Sequence, residues 1–139
     1  MENNIYEQLD LSIQRMAQKI NAPVNLLPTY RVSDDGALPH IVIDESGTYH
    51  FIVVERGKEI DHRETNSEDE LLYWVFAGIT FSMACKYELK HRIPNQDFRK
   101  LLFRHQEDLL GNLSESWKQL EMAQHHQVLK QFPFDDTLN

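Results

Sequence analysis

Residues 67–91 leave this chain few folds to choose from. Ser67-Glu68-Asp69-Glu70 is a capping box, in which the serine hydroxyl accepts from the third helical amide and Glu70 reaches back to the cap. Leu71, Leu72, Tyr73, Trp74, Val75, Phe76, Ile79, Phe81, Met83 and Tyr87 follow, and they leave the first half of the helix apolar nearly all round. A helix apolar on every side must be covered on every side. The apolar run 71–79, extended past Thr80 by Phe81, is well short of the ~18 residues that a bilayer span needs. The spacing therefore predicts a long helix over 67–91, buried among other elements as the centre of the fold.

Those elements are legible on both sides. Over 4–20, Ile5, Leu9, Ile13, Met16 and Ile20 recur at helical spacing, and Pro23 lies just beyond. A connector with Pro23 and Pro28 leads to the turn Asp34-Asp35-Gly36. Residues 40–44, 48–55 and 58–65 have strand character. They are separated by Glu45-Ser46-Gly47, which fits a three-residue hairpin loop with glycine in the left-handed position, and by Arg56-Gly57. We read a three-stranded antiparallel meander. Alternation puts Ile41, Ile43, Tyr49, Phe51, Val53 and Ile60 on one apolar face. It puts His40, Val42, His50, Ile52, Val54, Glu59, Asp61 and Arg63 on a mixed face that is part-solvated or meets a partner.

After the break at Pro94-Asn95, a helix over 96–110 carries Phe98, Leu101, Leu102 and Leu109 on one stripe, with Gly111 as its C-cap. A last helix runs from near Leu113 to Gln131, with Trp117 and Leu120 inward, and the tail 135–139 is expected to be loose. The expected class is α+β: an N-terminal helix, the meander, then three helices including the long central one. No repeat or linker divides the chain, so a single domain over 1–139 is expected.

Composition narrows the function classes. A chain of 139 residues buries roughly 68% of its unfolded surface and needs no staple. The single cysteine, Cys85, allows no internal disulfide and no multi-cysteine zinc cluster. With no basic and apolar leader after Met1-Glu2-Asn3-Asn4, a cytoplasmic location is expected. Asp and Glu number 22 against 14 Lys and Arg, a formal charge of −8. That balance lacks the basic stripe of a nucleic-acid binder and suits a basic protein partner.

Catalytic constellations are scarce. The patterns GxSxG, GxxxxGK[ST] and GxGxxG are absent. None of the seven histidines is spaced from another as helical metal ligands are, and adjacent His125 and His126 point about 100° apart on a helix. His50 could converge with His40 or Asp61 on a sheet face, but the expectation is surface or interface histidines, no metal and no cofactor. Cys85, mid-helix, reads as a small core hydrophobe. The carboxylate pairs Asp34-Asp35, Asp44-Glu45 and Asp135-Asp136 sit at turns or in the tail, where solvated acids are expected.

In order and spacing, several segments resemble the immunity protein 63 family of bacterial polymorphic toxin systems of the contact-dependent inhibition type. They are Tyr49-His50-Phe51-Ile52-Val53-Val54-Glu55-Arg56-Gly57 with Thr65, then Asp69-Glu70-Leu71-Leu72-Tyr73-Trp74-Val75-Phe76 and Thr80-Phe81-Ser82-Met83-Ala84. Tyr87-Glu88, Arg92, Asp97-Phe98-Arg99-Lys100-Leu101-Leu102-Phe103, Gln106 and Trp117 continue the likeness, which spans roughly Asp35 to Asp136. Lys100 departs from it, since a second arginine is expected there; lysine keeps the charge and loses the bidentate fork.

The resemblance implies a cytosolic, non-enzymatic protein that binds and neutralises one cognate toxin domain, usually a nuclease, by covering its active site or substrate-binding surface. It implies no membrane or nucleic-acid partner and leaves the oligomeric state open. From the mixed face and the acidic turns, the expected toxin contacts are Asp34, Asp35, Asp44, Glu45, His50, Glu59, Asp61 and Arg63. Glu55, Arg63, Glu88, Arg92 and Arg99 are alternatively members of structural ion pairs. Two other readings compete: an interaction or regulatory module unrelated to toxins, and a small hydrolase using His50 with Asp61 or a carboxylate pair.

Overall fold

The computed structural model describes residues 2–33 and 36–137. In chain order it contains α1 (Glu2–Lys19), a 3-10 turn (Val24–Leu26), β1 (Thr29–Tyr30), β2 (Gly36–Ile43), β3 (Tyr49–Glu55), β4 (Lys58–Thr65), α2 (Glu68–Lys90), α3 (Phe98–Gly111) and α4 (Glu115–Gln131). The class is α+β. Two compact units divide the chain, Met1–Phe76 and Ala77–Asn139, with the division inside α2. No helix among the described residues is long and apolar enough to cross a membrane.

In the first unit the three expected strands form an antiparallel meander, β2-β3-β4, and β1 adds a fourth strand parallel to β2. The extra strand is a correction. Only Thr29 and Tyr30 pair, opposite His40 and Ile41, and two residues after Pro28 carry no periodicity to read. Both hairpin turns form as expected. Gly47 has φ +84° with its N–H on the Asp44 carbonyl at 3.0 Å, and Arg56 and Gly57 take φ +53° and +75°. Two successive positive φ values are the geometry whose twist matches a two-residue hairpin.

β1 ends before it can serve the last residue of β2, and a side chain takes over. The Tyr6 hydroxyl accepts from the Ile43 N–H at 2.8 Å, so this strand-end donor is paired. The Tyr30 hydroxyl in turn donates to Asp10 Oδ1 at 2.8 Å. Burial, then the neighbouring Asp10, pushes the phenol of Tyr30 far above its ordinary value. α1 buries Tyr6, Leu9, Ile13 and Ala17, a stripe at helical spacing that Ile20 continues just beyond its end, and leaves Ile5 exposed.

β3 sets the register. Opposite Phe51 stand Ile41 and Arg63, opposite Val53 stand Pro39 and Asp61, and opposite Tyr49 stand Ile43 and Thr65. The apolar face predicted from alternation is therefore real for Ile41, Ile43, Tyr49, Phe51 and Val53. Ile41 is fully buried, and the Phe51 ring meets Trp74 of α2 edge-on at 6.1 Å.

β4 departs from the alternation. Val53 pairs with Asp61 but Val54 with Glu59, so Ile60 is the extra residue of a bulge and is 58% exposed. One extra residue exchanges the faces of everything beyond it. Asp61 and Arg63 consequently lie on the Phe51 face, and His62 and Glu64 take their places on the mixed face.

α2 starts as its capping box requires, with the Ser67 hydroxyl accepting from the Glu70 N–H at 3.1 Å. Residues 71–77 are all buried or half-buried; Phe81 further along is 49% exposed. In the second unit α3 begins at an Asp97 N-cap, and α4 at Ser114, whose hydroxyl accepts from the Trp117 N–H at 3.2 Å. Asn112, not Gly111, caps α3, with ordinary right-handed φ. Trp117 is buried, but Leu120, expected inward, is exposed, and so is Phe98.

The segment expected to be loose is tied down over its described residues. Asp97 accepts from the Asp135 N–H at 2.8 Å, its own N–H donates to Asp136 Oδ1 at 3.0 Å, and Lys100 donates to the same oxygen at 2.9 Å. Arg99 reaches the carbonyls of Phe132 and Pro133 at 2.8 and 2.9 Å while holding Asp97 through Nη2 at 2.8 Å. Of the anticipated ion pairs, Glu88 accepts hydrogen bonds from Nε and Nη2 of Arg92, and Arg63 pairs with Asp61.

Candidate functional site

The mixed face of the sheet gathers polar side chains around His50. Rows across this face run His40, Ile52, His62 and Val42, His50, Glu64. His40 and Ile52 are buried, His50 is half-buried, and His62, Glu64 and Glu59 are exposed. β4 is an edge of the sheet and is the most exposed of the long strands, so this face ends at an open strand.

Four side chains form a continuous chain there. Asp44 Oδ2 lies 2.8 Å from His50 Nε2, His50 Nδ1 lies 2.9 Å from His62 Nε2, and His62 Nδ1 lies 2.8 Å from Glu59 Oε1. An ionised carboxylate only accepts, so each outer ring nitrogen donates its hydrogen outward. Asp44 is firmly ionised. Hydrogen bonds from His50, then from Ser46 and Thr48, hold its carboxyl well below the usual carboxylate range. The two inner nitrogens, 2.9 Å apart, then have no hydrogen between them when both rings are neutral. In that state each inner nitrogen offers a lone pair to the space between the rings.

Asp44 also builds the turn that presents the site. Its Oδ1 accepts from the Ser46 N–H at 2.9 Å, the Ser46 hydroxyl at 2.7 Å and the Thr48 N–H at 3.0 Å. Both of its oxygens are thus used within the protein, whereas the neighbouring Glu45 is exposed at the tip. Thr48 continues the frame by donating to Asn66 at 2.8 Å.

Of the side chains singled out in the sequence, the fold brings together Asp44, Glu45, His50 and Glu59 around this turn and face. Asp34 and Asp35 lie outside the described residues. Asp61 and Arg63 sit on the opposite face, where the Arg63 guanidinium stacks over Phe51 and Trp74 at 4.5 and 4.9 Å. The pairing of His50 with Asp61 is therefore corrected: they project from opposite sides of one sheet. Among the described residues, the ligand atoms that gather with His50 within 4.8 Å of one another belong to His62 and Glu64, not to His40 or Asp61. His62 falls within the segment 58–65 of strand character, and its face is set by the bulge.

A second polar cluster lies within the other unit. His125 stacks on Phe103 at 3.9 Å and bonds Glu107 at 2.7 Å and Gln106 at 3.1 Å, with Glu121 at 3.3 Å. Burial opposes a charge on this ring, but the hydrogen bonds to Glu121 and Glu107 outweigh it and raise its pKa. Gln106 continues the network to the Ala77 carbonyl at 3.0 Å. His126, the adjacent residue, is exposed, as its helical position requires. Cys85 is half-buried, and burial followed by Glu88 pushes its thiol up, away from a reactive thiolate.

A model of the immunity protein 63 family matches residues 45–127, more than half of the chain. The chain belongs to the immunity protein 63 family. The match begins in the turn beside Asp44 and takes in Glu45, His50, Glu59, His62, Glu64 and the whole of α2 and α3. No curated protein and no solved structure matches the chain.

Proposed function

We propose that the protein binds and neutralises a cognate toxin domain of a polymorphic toxin system in the cytoplasm of the cell that makes it. Membership of the immunity protein 63 family over residues 45–127 carries this reading. The toxin is a nuclease, and the immunity protein covers its substrate-binding surface. A nuclease cleft is basic because it holds phosphates. An inhibitor with a formal charge of −8 is steered to such a cleft and competes there with nucleic acid.

The contact surface is the β2–β3 turn and the exposed side of β4, with Glu45, Glu59, His62 and Glu64 toward the toxin and Asp44 and His50 as their support. An exposed edge strand adds backbone groups that a partner can pair. The reading is non-catalytic. His50 and Asp61 project from opposite faces, and the Cys85 thiol is held in its inert form by burial.

Charge reversal tests the placement. The triple substitution Glu45→Lys, Glu59→Lys, Glu64→Lys should weaken toxin binding more than about tenfold, mostly through slower association at low salt. The control Asp61→Lys, on the other face, should change it less. Equal affinity for the triple variant and the parent would remove this surface from the account.

A further inference from the structure

We propose that His50, His62 and Glu64 form a divalent transition-metal site, best suited to Zn2+, on the mixed face of the sheet. The ligand atoms of these three side chains lie within 4.8 Å of one another. Their convergence follows from the register. His50 and Glu64 are directly opposed on β3 and β4, and His62 precedes Glu64 by two residues on the same face. Two imidazoles and one carboxylate with an open fourth position are a ligand set that zinc accepts.

The surroundings supply what such a site needs beyond its ligands. Metal-binding histidines donate their second ring hydrogen to a carboxylate or carbonyl, which fixes the tautomer and strengthens the donor nitrogen. Here His50 Nε2 meets Asp44 at 2.8 Å and His62 Nδ1 meets Glu59 at 2.8 Å. With both rings neutral, each inner nitrogen offers a lone pair, and the two nitrogens stand 2.9 Å apart. A tetrahedral ion with bonds of about 2.0–2.1 Å requires ligand atoms about 3.3 Å apart. The rings therefore need to part by a few tenths of an ångström and each to turn its lone pair by about 35° off the line between the two nitrogens, and the exposed Glu64 closes the third side by a rotamer change. Its remaining position opens to solvent at the edge strand.

The test uses untagged protein treated with a chelator, then titrated with Zn2+ by calorimetry and with Co2+ by visible absorption. One equivalent should bind, and Co2+ should give the intense d–d bands of a tetrahedral site. Glu64→Gln leaves the Asp44-His50-His62-Glu59 chain intact and should weaken binding more than about tenfold. His62→Ala should abolish it, and His126→Ala should leave it unchanged. Circular dichroism on each variant keeps a folding defect from imitating loss of a ligand. Failure of the parent protein to bind Zn2+, or binding that survives both His62→Ala and Glu64→Gln, would overturn the proposal. Because no toxin is present, its outcome is separate from that of the immunity reading.

Discussion

Replacing Asp97 by asparagine removes one negative charge at the point where the C-terminal segment is fastened to α3. The Asp97 side chain is 0% exposed and its partner Arg99 is 14% exposed. The carboxylate accepts from the Arg99 backbone N–H at 2.9 Å, from Arg99 Nε and Nη2 at 3.2 and 2.8 Å, and from the Asp135 N–H at 2.8 Å. Asparagine keeps one acceptor oxygen and so can still cap the helix. Its amide, however, points hydrogens at groups that are themselves donors. Removing one member of a buried ion pair costs about 3–5 kcal/mol. The retained cap and the part-solvated Arg99 argue for the lower end, about 3 kcal/mol.

For a chain of this length each kcal/mol lowers Tm by about 3–4 °C, so the variant should melt about 10 °C earlier at neutral pH. The pH dependence supplies a second readout. Arg99 hydrogen bonds, with those from the Asp135 and Arg99 amides, hold the Asp97 carboxyl well below the usual range against the effect of burial. A depressed carboxylate contributes stability that is present above its unfolded value near 4 and is lost as pH falls toward the folded value. The gap between parent and variant, measured by urea unfolding, should therefore narrow progressively below about pH 4. A variant within about 0.5 kcal/mol of the parent at neutral pH, or a gap that does not change on acidification, would refute the reasoning.

Two other substitutions probe the rest of the framework. His125→Gln should remove a stabilisation that the parent shows below about pH 6.5 and loses as pH rises through the raised folded value of His125, so the two melting curves should converge on the alkaline side of that value; a gap independent of pH would contradict the pairing with Glu107 and Glu121. Tyr6→Phe deletes the acceptor of the Ile43 N–H and should cost about 1–2 kcal/mol, with faster hydrogen exchange at the Ile43 amide; unchanged exchange there would show that the strand end has another partner.

Local chemistry was the legible part of this sequence. Ser67 caps α2, Gly47 and Gly57 take the left-handed conformation, and Ile41 and Phe51 share a buried face, each because a short-range rule fixes it. What escaped depends on partners distant in sequence. Ile60 reads as one more apolar strand residue, and nothing local marks it as the extra residue of a bulge. Its displacement carries Asp61 and Arg63 to one face and His62 and Glu64 to the other. Asp135 and Asp136 read as tail acids and Asp97 as a residue of the third helix, and only Arg99 and Lys100 in three dimensions make them a clasp. Thr29 and Tyr30 become a strand only because β2 lies beside them. The candidate surface was legible to the same extent: its acidity and its histidines could be read, but which of them share a face could not.

The central claim is that this chain protects a cell by binding one toxin. The direct measurement is to co-express it with the toxin domain encoded beside its gene, score growth, and titrate the purified pair by calorimetry. The account predicts rescued growth and a 1:1 complex of nanomolar affinity, about 12 kcal/mol of binding free energy. A toxin that still kills in its presence, with no heat of binding on titration, would contradict it.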